Sequence, residues 1–370
     1  MSFARCLSAF AVVSAASSSA HAEYPLGRVG EFDAVAHGVL QVDANEFDDD
    51  VKDFIDATAL RRAEFNFRMR NERNTEFVVG YDPHAKRWLD VYGKWLVGPG
   101  GQVRVGQFKQ NMNMEELIST KSIDFVSRAL PNAFTIGRRL GVEYMRFGTR
   151  WTASVGVYDR DLTHNAGKGT GVVARATCAP IHELEQTLHV GVAVSSQAQF
   201  NNVARFSTRP EADLANFRLV DTGNIANADR NNQIGFEAAY SLGPWALQGE
   251  YLRANVTRRA GLDDYSADGW YVYGTWFVTG EYKTYKLGNF DYPVPNDPGK
   301  GAFELGLRYS SIDLDDGSIL GGEEQNWTLG ANWYWRSNFK LVLDYTAVTS
   351  EQSGVSDDPN FVTARFQFMF

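Results

Sequence analysis

Between Asn326 and Trp335 the chain alternates strictly. Trp327, Leu329, Ala331, Trp333 and Trp335 share one parity; Asn326, Thr328, Gly330, Asn332 and Tyr334 share the other. Successive side chains of a strand point to opposite faces, so this segment has one apolar and one polar side. The pattern recurs at Phe303, Leu305, Leu307 and Tyr309 against Glu304, Gly306 and Arg308. It returns at Phe339, Leu341, Leu343 and Tyr345, and at Leu188, Val190, Val192 and Val194. Sixteen such segments can be traced, near 31–42, 60–70, 75–82, 86–97, 101–109, 138–147, 150–159, 170–179, 185–196, 231–241, 245–257, 267–279, 301–314, 323–335, 338–349 and 361–370. Most have close to the ~9–11 residues that a tilted strand needs to cross a bilayer.

Connections alternate between tight and long. Gly98 to Gly101, Gly148-Thr149, Leu242 to Pro244 and Arg336 to Asn338 are tight; 43–59, 110–137, 197–230 and 350–360 are long. Short turns at one end and long loops at the other characterise a membrane barrel. The stretch 280–300 breaks the rule, being long where a short turn is due. A soluble sandwich also alternates, but its apolar face is filled for a dry core. Here that face carries Trp, Tyr and Phe near segment ends, as an interfacial girdle requires. The polar face carries Arg, Glu, Asn and Gln at mid-strand, which a packed interior does not tolerate unpaired. The chain ends in Phe366, Phe368 and Phe370 at alternate positions, an ending that resembles the C-terminal signature of bacterial outer-membrane barrels. The expectation is an all-β fold: a transmembrane antiparallel β-barrel of about sixteen strands around an aqueous channel.

The first 22 residues read as a secretory signal peptide. Arg5 supplies the positive region, Leu7 to Ala16 the apolar core, and Ala20-His21-Ala22 the cleavage site. The barrel domain is then 23–370, placed in the bacterial outer membrane among lipid and lipopolysaccharide. Cleavage removes Cys6 and leaves Cys178 as the single thiol, so no internal disulfide forms. Beyond the leader no run of about 18 apolar residues exists, which excludes a helical membrane protein. With 44% hydrophobic residues the chain is not disordered.

Net charge is −9, yet residues 60–150 hold sixteen Lys+Arg against nine Asp+Glu, net +7, leaving −16 for the rest. Local charge decides ion preference, because a low-dielectric wall focuses the field of nearby groups. Strand phase turns Arg62, Glu64, Asn66, Arg68 and Arg70 inward against Ala63, Phe65, Phe67 and Met69. It likewise turns Asp90, Tyr92 and Lys94 inward against Leu89, Val91 and Trp95, and Arg104, Arg139 and Glu143 inward on the next two strands. Stacked inward bases form a ladder for a permeating anion. The alternative is a set of Arg–Glu pairs that only stiffen the wall. The connection 110–137 contains Leu117, Ile118 and Phe125, which give it something to pack against, so it is expected to fold into the barrel. That would place Lys109, Lys121 and Arg128 at the narrowest point; a capped surface helix is the alternative.

Several motifs resemble the phosphate-selective porin O and P family. They include Val105 to Lys109, Met114 to Leu117, Ser119 to Lys121, Arg128 to Leu130, Leu60 to Ala63, Ala174 to His182, Arg209 to Ala212, Leu219 to Gly223 and Gly306 to Leu314. The resemblance implies a homotrimeric sixteen-stranded porin with an inward-folded third loop. It implies that Arg61 and Arg62 are the paired arginines of an anion site. Ser119, Thr120 and Lys121 would be its loop hydroxyls and lysine, and Asp90 the acidic residue beside it. Phosphate-specific members carry a tyrosine where this chain has Glu64, and lysines where it has Glu76 and Glu116.

No nucleotide loop, nucleophile elbow or metal-ligand spacing occurs, and Asp313 to Gly317 reads as a turn rather than a calcium loop. No enzyme, cofactor, metal or nucleic-acid partner is expected. The function expected is a passive channel for small anions such as phosphate or other oxyanions. A general diffusion porin and a loop-mediated receptor or adhesin are the alternatives.

Overall fold

The computed structural model describes residues 23–164 and 169–370; the leader expected over residues 1–22 lies outside the described residues. The wall begins with β1 (Phe32–Asp48), β2 (Ala57–Arg70), β3 (Glu76–Asp82) and β4 (Arg87–Leu96). It continues through β5 (Gly101–Lys109), β6 (Arg138–Phe147), β7 (Trp151–Tyr158) and β8 (Gly171–His182). Next come β9 (Gln186–Ala198), β10 (Ala228–Leu242), β11 (Trp245–Arg258) and β12 (Tyr265–Phe277). It ends with β13 (Ala302–Asp316), β14 (Ile319–Trp335), β15 (Phe339–Gln352) and β16 (Asn360–Met369). Each strand pairs antiparallel with its chain neighbour. β16 returns to β1, from Val39 opposite Met369 to Asp48 opposite Asn360. Lipid offers no hydrogen bonds, so a spanning sheet must close in this way.

The closure also explains the final residue. Gly38 N–H donates to the Phe370 carbonyl at 2.8 Å, and a Cβ on Gly38 would lie 2.5 Å from the Phe370 ring. Only glycine lets the terminal aromatic lie across β1 there. Below this point β1 has lost its β16 partner, and the short strand Tyr24–Val29 pairs with Phe32 to Ala36 instead.

Outside, two aromatic levels bound an apolar band. Trp270, Tyr309 and Trp327 make ring contacts at 5.1 and 4.9 Å; nearer the turns, Trp245 stacks on Trp276 at 5.1 Å and Phe303 on Trp333 at 5.8 Å. Leu305, Leu307, Leu329, Leu341 and Leu343 lie exposed on that face. In a bilayer this is the hydrocarbon contact.

The wall is uneven. β3 to β7 have 7 to 10 residues, whereas β8 to β15 have 12 to 17. Several strands run beyond the alternating segments: β1 reaches Asp48 rather than residue 42, and β14 starts at Ile319 rather than 323. Beyond the hydrocarbon the outer face need not be apolar, so the alternation fades while the ladder continues.

Candidate ion pathway

The polar lumen is not simply filled with water. The third loop, 110–137, crosses the bore and is held by the far wall. Arg308 donates to the Ser127 carbonyl at 2.8 Å, Arg365 to Val126 at 2.7 Å and Lys340 to Ile123 at 2.6 Å. Asp344 accepts the Val126 N–H at 2.6 Å, and the Glu250 carboxylate accepts the N–H groups of Met114 and Glu115 at the start of a single helical turn, Met114–Leu117. Charges at mid-strand on β11, β13, β15 and β16 are thus satisfied by loop backbone, the arrangement a buried polar group requires. A capped surface helix, the alternative for this segment, is not what forms. Phe125 seats the loop: its ring meets Tyr273 edge-on at 5.5 Å, with Arg308 4.5 Å from its centroid. The wall makes room for it at Gly306 and Gly330, a cross-strand pair on which a Cβ would come within 3.0 and 2.9 Å of the ring.

What stays open is the side of the bore along β1, β2 and β4 to β6, as two cavities around the loop. The inner one, about 190 Å³, is lined by His37, Glu64, Asn66, Asp90, Lys109 and Arg138 of the wall and by Ser119, Thr120 and Lys121 of the loop. The outer one, about 280 Å³, is lined by Arg61, Arg62, Ser127, Arg128, Asn132 and residues of the fifth loop, 199–227. Arg62 and Glu64 stand two residues apart on one strand face, one lining each cavity.

Arg61 lies where phase alone did not put it. Gln41 pairs with Arg62 and Val42 with Leu60, so Arg61 is the extra residue of a β-bulge. A bulge re-aims its side chain, and both arginines enter the outer cavity. A second bulge changes the phase of β4: Leu89, expected toward lipid, is 1% exposed, and Trp88 takes the outward position at 42%.

Most of the basic groups have carboxylate partners. Arg61 meets Asp213 at 2.9 Å, Lys94 meets Glu76 at 2.7 Å, and Arg104 meets Glu143 at 2.9 Å. Glu116 lies between Lys109 at 3.7 Å and Arg128 at 3.3 Å. Arg138 grips Asp90 with two bonds of 3.1 Å. Burial pushes the Asp213 carboxyl up, but Arg61 and Arg62 outweigh it and hold it well below the usual carboxylate range. Asp213 therefore stays ionised well below neutral pH. Arg62 differs from the rest. It is 6% exposed, its nearest acid is Glu64 at 3.9 Å, and its Nε and Nη1 have no hydrogen-bond partner.

The structure brings together Arg61, Arg62, Asp90, Lys109, Ser119, Thr120, Lys121 and Arg128 around these cavities. It does not bring Lys94, Arg104 or Arg139 to them. Lys94 and Arg104 lie farther along the wall on their own acids, and Arg139 donates to the Arg138 carbonyl at 2.8 Å. The base that reaches Asp90 is Arg138, one residue earlier than phase predicts. Arg209, Asp213 and Arg218 were not legible as pathway residues, because strand parity cannot place a side chain that arrives on a loop.

A closed β-wall around a narrowed, charged bore, with an apolar exterior between aromatic belts, defines an outer-membrane channel of the porin class and not an enzyme. A family profile described as phosphate-selective porin O and P matches residues 35–370, and the chain belongs to that family. Its relatives include an uncharacterized protein of Caulobacter vibrioides, 27% identical over 368 residues (90% of this chain and 73% of that protein). Porin O of Pseudomonas aeruginosa is 26% identical over 229 residues, covering 53% of this chain and 52% of that porin. Among solved structures, an anion-selective porin from Comamonas acidovorans superposes with a TM-score of 0.61 at 12% identity, covering 92% of this chain and 100% of that one. OmpT of Vibrio cholerae gives 0.61 at 11%, covering 93% and 99%. These last two likenesses concern the fold.

Proposed function

We propose that the chain is a passive channel for small anions, phosphate or another oxyanion among them, moving along the β2 side of the bore past Arg62. The observation that carries the proposal is the outer cavity. Arg61, Arg62, Arg128, Arg209 and Arg218 line it against only Glu211 and Asp213. Glu211 is turned away onto Arg308 at 2.6 Å and Thr328 at 3.1 Å. The Arg62 guanidinium, lacking full partners, offers charge-assisted hydrogen bonds that replace part of a permeating anion's hydration. Ser119, Thr120 and Lys121 then receive the anion in the inner cavity, where Lys109 and Arg138 are offset by Glu64 and Asp90. Lys94, Arg104 and Arg139 have no part in this path. The anion-selective porin of Comamonas acidovorans, a fold relative, is consistent with such a preference.

Arg62→Ala is expected to lower anion preference, and Asp213→Asn, which frees Arg61, to raise it. Reversal potential in a salt gradient reads both. An unchanged potential in Arg62→Ala would relegate that residue to the wall. Specificity for phosphate is a separate matter, read by whether phosphate blocks chloride current. A second reading has its own observation: the many ion pairs cancel much of the bore's charge, as in a general diffusion porin. Absence of phosphate block together with a near-zero reversal potential would favour it.

The working unit is proposed to be a homotrimer in the bacterial outer membrane, bounded by lipid and lipopolysaccharide, with residues 1–22 removed on export. The low wall exposes Trp95, Val105, Val142, Trp151 and Val155, and OmpT of Vibrio cholerae is known in a trimer form. The mass of the detergent-extracted particle and its N-terminal sequence check these points.

A further inference from the structure

The connection between β12 and β13, residues 278–301, stands at the turn end, where the neighbouring connections are tight. It folds up into the bore instead. Tyr285 and Lys286 pair with Phe290 and Asn289 in a small hairpin, and Arg175 donates to the Gly288 carbonyl at 3.0 Å. His189 shares a hydrogen bond of 2.6 Å with the Tyr285 hydroxyl. Tyr285 and Phe290 pack under the third loop against Met114, Ile118 and Ile123. The half of the lumen opposite the two cavities is thereby filled from both ends.

One side chain ties the pieces together. Lys283, 7% exposed, places its ammonium 2.5 Å from Asp124 of the third loop and 3.2 Å from Glu304 of β13. Asn332 holds the same spot, donating to the Asp124 carbonyl at 2.7 Å and to Glu304 at 3.2 Å. Asp124 follows Lys121 by three residues, so where Asp124 is held dictates how far Thr120 and Lys121 stand from Arg62 and Glu64 across the gap.

We propose that Lys283 is the positioning residue of the constriction: its ammonium bridges Asp124 and Glu304 and so keeps the third loop against the far wall, leaving the β2 side open. Without it the two carboxylates lose the bridge between them and keep as a nearby base, among the described residues, only Lys340, which is engaged on the Ile123 carbonyl; like charges in a buried setting interact strongly. Asp124 sits on the loop and Glu304 on the wall, so the repulsion drives the loop off β13, toward Arg62. The proposal rests on the gap beside Arg62 being the ion path. It does not rest on anion preference, because Lys283 lines neither cavity.

Single-channel recording of the full-length protein in planar bilayers tests it. Lys283→Met is expected to lower conductance roughly twofold, since current follows the open cross-section, with the reversal potential unchanged. Adding Asp124→Asn removes the repulsion and is expected to restore the conductance, as is Lys283→Arg in place of Lys283→Met. A purely packing role for Lys283 would not be rescued by deleting a charge on the loop. Wild-type conductance in Lys283→Met, or a double variant no better than the single one, overturns the proposal. Should Lys283→Met fail to assemble, Asp124→Lys poses the same question by setting two ammonium groups beside Glu304. Conductance equal to wild type in that variant overturns the proposal as well. A changed reversal potential in Arg62→Ala bears on the anion reading alone, so the two ideas fail separately.

Discussion

Leu329→Arg is expected to destabilise the barrel by about 2–4 kcal/mol, the cost of an arginine on the lipid face near the bilayer midplane. Leu329 is 58% exposed on the outer face of β14, between Trp327 and Trp333, with Leu307 and Tyr345 beside it on the adjacent strands. In water such an exposed position would tolerate arginine almost freely, so the size of the penalty reports the solvent. Leu320, 53% exposed at the loop end of the same strand, is the control. There arginine reaches the interface, and the penalty should fall to about 0–1 kcal/mol. Equilibrium unfolding from lipid vesicles measures both. Equal, small penalties at the two positions would mean that the outer face does not meet hydrocarbon.

Gly330→Val is the second large effect, and it acts from inside. The new Cβ would lie 2.9 Å from the Phe125 ring and 2.9 Å from the Asp344 carboxylate. Phe125 cannot move sideways, because Tyr273 and Arg308 bound it. The ring must leave its seat, and with it the loop segment that Arg308, Arg365 and Asp344 hold by the backbone. Overpacking of this kind costs about 1–3 kcal/mol. The barrel itself should survive, since the β13–β14 ladder does not depend on Phe125. The expected phenotype is a folded, heat-modifiable protein with altered conductance and a third loop open to protease. Phe125→Ala on the Gly330→Val background relieves the clash. If the double variant is less stable than Gly330→Val, the socket is not what couples wall to loop.

The two effects separate what makes this chain a barrel from what makes it a channel. The wall needs only outward apolar residues and a closed ladder. The path needs a filler. The far half of the lumen carries Glu250, Glu304, Arg308, Lys340, Asp344 and Arg365, and these hold loop backbone or loop charges, not ions in transit. On the β2 side Arg62 stands out among the described residues, with two guanidinium nitrogens unpartnered and its acid 3.9 Å away. Counting inward charges along the strands would have assigned the whole circumference to the channel.

The period-two alternation placed all sixteen wall strands, because side-chain parity on a strand is a local property and lipid outside demands an apolar face at every second position. It failed at Arg61 and Leu89, where a bulge inserts a residue and shifts the parity without any composition signal. It also failed at Arg139, where the base that meets Asp90 is Arg138. The third loop was legible as an inward segment from Leu117, Ile118 and Phe125, since apolar residues in a long connection must pack somewhere. The excess length of 280–300 was visible too, but not that Lys283 would meet Asp124.

The sequence by itself therefore determined the closed sheet, its inner and outer faces, the end that carries the long loops and the segment most able to enter the bore. The tertiary structure alone decided which charges are spent on one another. Arg61 finds its acid on the fifth loop and Lys283 finds Asp124 159 residues away, so each pairing depends on chain segments that meet only once the barrel is shut. Electrostatic interaction depends on distance and solvent exposure, and neither is written in the order of residues.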